Sequence, residues 1–391
     1  MIRLVRFLFV LALVAMVTEN VMAQGTLSGA NTITTAVPFL AITPDSRAGG
    51  MGDAGVGTTA DVNSQHWNPA KYIFMESEMG VGLSYSPWLR NLVDDINLAY
   101  LTGYKRLDDV QAISASLRYF ALGDIVFTSD QGEFMGQQSP NEFAIDFAYS
   151  RKLSDVISGA VAVRYIRSDL TGGQLVNGVE TNAGNSFAAD VAFYYYNEFR
   201  RRRQDNAFAA GINIQNIGSK ISYTDGDVKD FIPTTLKLGA SYTMELDDYN
   251  SFSFAVEANK LLVPTPPADS TDYGNGDVIW SGGINSDIGV IEGIFKSFGD
   301  APGGFKEEFQ EITWSAGIEY WYNKQFALRA GYFYEHENKG NRQFITAGAG
   351  LKMNVFALDF SYLLPTQRNH PLENTLRFTL AFDIDAFSNQ R

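Results

Sequence analysis

Fourteen stretches of this chain alternate apolar and polar residues with a period of two, and the connections between them alternate between long and short. A strand with one buried face repeats its side chains every second residue. Phe143, Ile145, Phe147 and Tyr149 interleave with Ala144, Asp146, Ala148 and Ser150. Leu376, Phe378, Leu380, Phe382 and Ile384 interleave in the same way with Arg377, Thr379, Ala381 and Asp383. A soluble β-sandwich turns its apolar face inward. A transmembrane barrel does the reverse, setting that face against lipid around a polar lumen.

The N-terminus points to the cell envelope. Arg3 and Arg6 precede an apolar run from Phe7 to Val17, and Val21-Met22-Ala23 offers small residues for cleavage after Ala23. This is the pattern of a secretory signal peptide, and the run is about half the ~20 residues a spanning helix needs. Residues 1–23 are expected to be a leader; Gln24, not cysteine, would then follow, so no lipid anchor is expected. No second long apolar run is present. The closed barrel is the other architecture that satisfies its backbone in lipid.

Composition agrees, with 13% aromatic residues, 36 glycines and a mean hydropathy of −0.11. The absence of cysteine removes disulfides and thiolate chemistry. A formal charge of −14 gives no attraction for nucleic acid. The chain therefore divides into a leader, an N-terminal hatch at 24–78 and a barrel at 79–391. Strands are expected near 79–86, 96–104, 110–120, 141–151, 156–167, 185–196, 206–217, 233–245, 251–262, 311–322, 326–336, 342–353, 356–364 and 373–385. The fold class is all-β, a 14-stranded antiparallel transmembrane barrel.

With the hatch on the periplasmic side, the long connections become extracellular, including 121–140 and 263–310. Most of the others are turns of five residues or fewer. This asymmetry marks outer-membrane barrels, and a sandwich has no reason to sort loop length by strand parity. The exception is 197–205, an inner turn carrying Arg200 to Arg203 that would face solvent, lipid phosphates or an acidic partner. Both termini are expected in the periplasm. Inward faces would carry Arg118, Asp146, Arg164, Asp190, Lys237, Glu257, Glu319, Arg329, Lys352, Asp359, Arg377 and Asp383. Mixed signs imply a lumen crossed by ion pairs or filled by a plug. Tyr85, Trp88, Tyr104, Tyr165, Tyr242, Trp321 and Tyr334 fit interfacial girdles.

Chemical motifs are sparse. Gly50 to Gly55 matches G-x-G-x-x-G, but no βαβ pattern surrounds it, so close packing within a plug is the better reading. His66, His336 and His370 lack metal-ligand spacing, and no G-x-S-x-G elbow is present. No catalytic residue, cofactor or metal is expected.

The segment 263–310 opens Val263-Pro264-Thr265-Pro266-Pro267 and later turns apolar. Val290, Ile291, Ile294, Phe295 and Phe298 follow helical spacing. Exposed apolar patches imply a partner, although a loop folded over the barrel mouth would use the same residues. Together with Phe127, Phe134 and Met135 in 121–140, the residues Ile291, Ile294, Phe295 and Phe298 form the candidate partner-binding set.

The order Arg47-Ala48-Gly49-Gly50-Met51-Gly52-Asp53-Ala54-Gly55, then Thr59-Ala60-Asp61 and Asn68-Pro69-Ala70, resembles the hatch of the FadL-like barrels. Pro38 to Arg47, running into Met51 to Val56 and His66-Trp67-Asn68-Pro69-Ala70-Lys71, resembles the PorV (LptO) family of the type IX secretion system. The hatch motif would comprise Arg47, Gly52, Asp53, Asn68, Pro69 and Ala70. The resemblance implies an outer-membrane shuttle that binds the C-terminal signal domains of secretion cargo beside the translocon barrel. It would deliver them to a surface complex containing a PorU-type sortase, in contact with outer-membrane lipids and LPS. The alternatives are a FadL-like transporter of hydrophobic small molecules and an outer-membrane lipid A deacylase.

Overall fold

The computed structural model describes residues 31–385, apart from 91–92, 94, 129–133, 174, 177–178, 202–203, 225–228, 268, 273–277, 282, 285–286 and 368–369. Fourteen strands close into one antiparallel barrel. They are β1 (Met79–Pro87), β2 (Ile96–Arg106), β3 (Gln111–Leu122), β4 (Asn141–Lys152), β5 (Ile157–Asp169), β6 (Gly184–Arg201) and β7 (Gln204–Gly218). The circuit continues with β8 (Thr235–Glu245), β9 (Asn250–Leu261), β10 (Ile312–Tyr322), β11 (Phe326–Tyr334), β12 (Gln343–Lys352), β13 (Phe356–Pro365) and β14 (Thr375–Asp383). β1 pairs with β14 from Gly80↔Asp383 to Tyr85↔Phe378, so no edge is left open.

The parity read from β4 holds. Phe147 is 60% exposed, whereas Asp146 is buried, as are Ala144 and Ala148. A one-residue slip would invert every such face. Connections sort by end: none of the short turns exceeds four residues, and every long one has eight or more. The expected exception, 197–205, is no loop. β6 and β7 run on to Arg201 and Gln204, pairing at Arg200↔Asp205 and Arg201↔Gln204. Arg200 contacts Asp205 at 3.6 Å in the open; Arg202 and Arg203 fall outside the described residues.

Three of the aromatic girdle assignments change. Tyr104 points inward and stacks on Tyr72, ring centroids 4.9 Å apart. Trp321 shares the inward parity of Glu319 and lies against the Arg329 guanidinium at 5.5 Å. Trp88 lies beyond β1, its ring 6.0 Å from the Arg377 guanidinium. Each has a cation or a second ring beside it, which outweighs the interfacial preference of an aromatic side chain.

The segment from Asn31 to Ser77 packs against the inward faces and fills the lumen. It contains short helical turns at Pro38–Ala41, Ser46–Gly49, Ser64–Trp67 and Pro69–Phe74. The segment runs the length of the barrel. Asn31 N–H donates to the Asn338 carbonyl at 3.1 Å and its amide to Pro266, both at the long-loop end. At the other end Arg106 N–H donates to the Glu78 carbonyl at 2.7 Å, and Asp385 accepts from Met79 N–H at 2.9 Å. The first described residue, Asn31, thus lies at the long-loop end of the barrel.

Candidate functional site

Two places in this barrel can carry function: the sealed lumen and the long-loop rim. The lumen is sealed by backbone proximity first. Gly331 of β11 faces the plug so closely that a Cβ there would lie 2.1 Å from Gly52 N; Gly52 itself has φ +71°. Gly211 of β7 meets the Val56 carbonyl at the same 2.1 Å. Only glycine permits such approach, so the G-x-G-x-x-G run is packing and not a nucleotide cradle.

Ion pairs complete the seal. Arg47 donates through Nε and Nη2 to Glu319 of β10 at 3.0 and 2.8 Å, and through Nη1 to Asp61 at 2.8 Å. Arg329 of β11 donates to the same Glu319 at 2.6 Å and also pairs with Asp359. Higher in the lumen Arg164 bridges Asp146 and Asp190, the latter at 3.0 Å. Arg118 donates to the Leu40 carbonyl at 2.6 Å and to His66 Nδ1. Buried charges need such partners. The lumen is therefore both crossed by ion pairs and occupied by the plug.

The hatch residues hold the plug to the wall. Asn68 is extended, φ −163° and ψ 98°, as a residue before proline prefers. Its side chain accepts from Ala70 N–H at 3.0 Å and donates to the Phe193 carbonyl at 2.9 Å. The carbonyls of Pro69 and Ala70 accept from Ser150 and Ser158 at 2.7 and 2.6 Å. Asp53, at φ 61°, lies 3.5 Å from Arg377.

One feature of the lumen escaped the sequence reading, which saw inward faces as charged or small. Leu98, Phe120 and Ile166 form an apolar patch on one side of the lumen toward the long loops, packed with the plug's own Phe39 and Leu40. At the short-turn end a cavity of about 770 Å³ remains, lined by Phe74, Tyr104, Tyr196, Trp321, Arg329 and Asp359 among others.

At the rim, the 262–311 connection is built on a charge network. Lys260 donates to Glu308 and Glu311 at 2.9 and 2.6 Å, and Lys339 to Glu307 and Glu311 at 2.6 and 3.0 Å. Burial, with Glu308 and Glu311 nearby, pushes the Asp300 carboxyl up although Thr265 N–H donates to it. The carboxylates of Asp300, Glu308 and Glu311 approach within 4.8 Å of one another. A cation would find this cluster already held by two ammonium groups. Burial also opposes charge on Glu307, but the Lys339 hydrogen bond prevails and lowers its pKa.

The expected helix forms at Val290–Lys296. Gly293 within it faces Phe231 and Pro264, and Ile294 is half-buried. Ile291, Phe295 and Phe298 are 59, 74 and 54% exposed. In the 123–140 connection, Phe127 and Phe134 fall in a two-stranded ladder beside Gly136 and Thr128; their side chains, and that of Met135, lie outside the described set. Sequence reading missed Phe305 and Phe309, 87 and 56% exposed. Their spacing of four, with Glu308 and Glu311 between and beyond, was the available signal.

The model of the family described as "Type IX secretion system protein PorV" matches residues 26–268. The chain belongs to the PorV family. It is thereby an outer-membrane component of type IX secretion, a barrel that works with the secretion machinery. No curated protein sequence matches it. Among solved structures it is similar to the toluene transporter TodX of Pseudomonas putida, at 10% identity and a TM-score of 0.48, covering 86% of this chain and 97% of that one. The toluene transporter TbuX of Ralstonia pickettii gives 10% and 0.44 over 86 and 97%. A FadL homologue of Pseudomonas aeruginosa gives 12% and 0.41 over 88 and 99%. Likenesses this loose carry no inference about what this PorV-family barrel binds.

Proposed function

We propose that this PorV-family barrel receives the C-terminal signal domains of secreted cargo on its long-loop rim, at the cell surface. It takes them from the translocon barrel and passes them to the attachment complex with its PorU-type sortase. One observation carries the reading. The lumen is filled by the chain's own N-terminal segment, while Ile291, Phe295 and Phe298 stand exposed on the rim. A folded cargo domain, too large for the cavity of about 770 Å³ at the short-turn end, is therefore received on the rim. Aromatic side chains set in a polar rim are what interface hot spots use.

The double substitution Phe295→Ala and Phe298→Ala tests this. Truncating a hot-spot residue costs about 2 kcal/mol or more, so affinity for a purified cargo signal domain should fall by more than tenfold. Barrel abundance and heat-modifiable mobility on gels should not change, and cargo should accumulate unanchored. Normal surface attachment at normal barrel levels would remove this loop from the binding surface.

The same orientation has a topological consequence. Asn31 bonds to Asn338 and Pro266 at the long-loop end. An epitope inserted just before Asn31 should be reached by antibody on intact cells. Detection confined to permeabilised cells would place that end of the plug in the periplasm.

A further inference from the structure

The short helix Phe305–Gln310 is not used by the secretion reading. Phe305 and Phe309 are four residues apart and share one face; Glu308 and Glu311, three apart, share another. The acidic face is clamped. Lys260 at the end of β9 holds Glu308 and Glu311, the Thr265 hydroxyl donates to Glu311 at 2.7 Å, and Ala301 N–H donates to Glu308 at 2.8 Å. With that face tied to the rim, Phe305 is 87% and Phe309 56% exposed. Water is a poor solvent for two phenyl rings held this way.

What lies beside them identifies their environment. The Phe309 ring is 6.1 Å from that of Trp314. Trp314 is the first outward-facing aromatic of β10, in the parity of Ala316 and Ile318, while Ser315, Gly317 and Glu319 face inward. It pairs with Tyr334 of β11, the two forming part of the aromatic belt at the long-loop end. The apolar face of the helix is thus continuous with the lipid-facing wall. Lys306, exposed beside Phe305, is placed to extend toward headgroup phosphates.

We infer that Phe305–Gln310 is an interfacial anchor that sets Phe305 and Phe309 into the headgroup boundary of the membrane leaflet at the long-loop end. Interfacial helices bury their apolar face roughly 5–10 Å into that boundary. The anchor fixes the base of the 262–311 connection against lipid. The occupant is lipid and not protein because the surface continues the barrel's lipid belt.

The chain has no cysteine, which gives a clean test. Phe305→Cys, Phe309→Cys and Phe295→Cys are each labelled with an environment-sensitive fluorophore. The full-length proteins are then reconstituted in phospholipid vesicles carrying spin-labelled lipid, folding being checked by heat-modifiable mobility. At 305 and 309 the emission should be blue-shifted and quenched several-fold more by the lipid spin label than at 295, where dissolved iodide should quench instead. Having two positions guards against one variant failing to fold. Iodide quenching at 305 and 309 equal to that at 295 would overturn the anchor. Protection that arises only when a cargo signal domain is added would also overturn it, assigning the face to protein. Before cargo is added the vesicles contain no secretion partner, so the lipid-quenching result is independent of cargo binding.

Discussion

Replacing Glu319 with glutamine is expected to destabilise the folded barrel by about 3–5 kcal/mol, the usual consequence of removing one member of a buried ionic group. Glu319 is 2% exposed and is shared by Arg47 of the plug and Arg329 of β11. Its loss would leave Arg47 with Asp61 and Arg329 with Asp359, and would bring two guanidinium groups together without the charge between them. Urea unfolding in vesicles, followed by heat-modifiable mobility, measures the loss. The exposed pair Lys324–Glu245, at 3.6 Å, is the control: Glu245→Gln should cost less than about 1 kcal/mol. Equal losses at the two sites would show that the Glu319 centre does not join plug to wall.

Deleting residues 31–70 should leave a barrel that inserts and conducts. Barrels of 16–18 strands hold an aqueous channel, and about eight strands are filled by side chains alone; fourteen fall near the open end of that range. With the plug gone, Arg118, Asp146, Arg164, Asp190, Glu257 and Arg377 would be rehydrated, and Leu98, Phe120 and Ile166 would lose Phe39 and Leu40 from their midst. In planar bilayers the intact protein should be silent and the deletion should show stepwise current. A deletion as silent as the parent would mean that the wall side chains close the lumen unaided.

Much of this was readable because strand periodicity is local. The parity of Phe143 to Ser150 depends on pleat geometry and on which side meets lipid, so a segment of ten residues reports its own orientation. Pro69 restricted Asn68 in the same local way. The rim helix was legible at 290–298, since Ile291, Ile294 and Phe295 repeat at the helical period. By contrast, Tyr104 read as a girdle residue because aromatics at strand ends usually are; only the packed Tyr72 ring revealed that it turns inward. Phe305 and Phe309 were passed over because the helix is short and their meaning comes from Trp314, which lies in the next strand.

The sequence by itself determined the number of strands, their inward and outward faces and the sorting of loops to two ends. Those properties follow from side-chain alternation and chain polarity, which each segment carries alone. The tertiary structure decided which groups join the plug to the wall and at which end Asn31 lies. Arg47 and Glu319 are 272 residues apart, and no spacing rule connects a residue in an irregular segment to its partner on a distant strand. The direction of the plug, with Asn31 among the long loops, was decided in the same way. Irregular backbone has no period to read, and its path is set by where its carbonyls, glycines and charges find matching groups on the barrel wall.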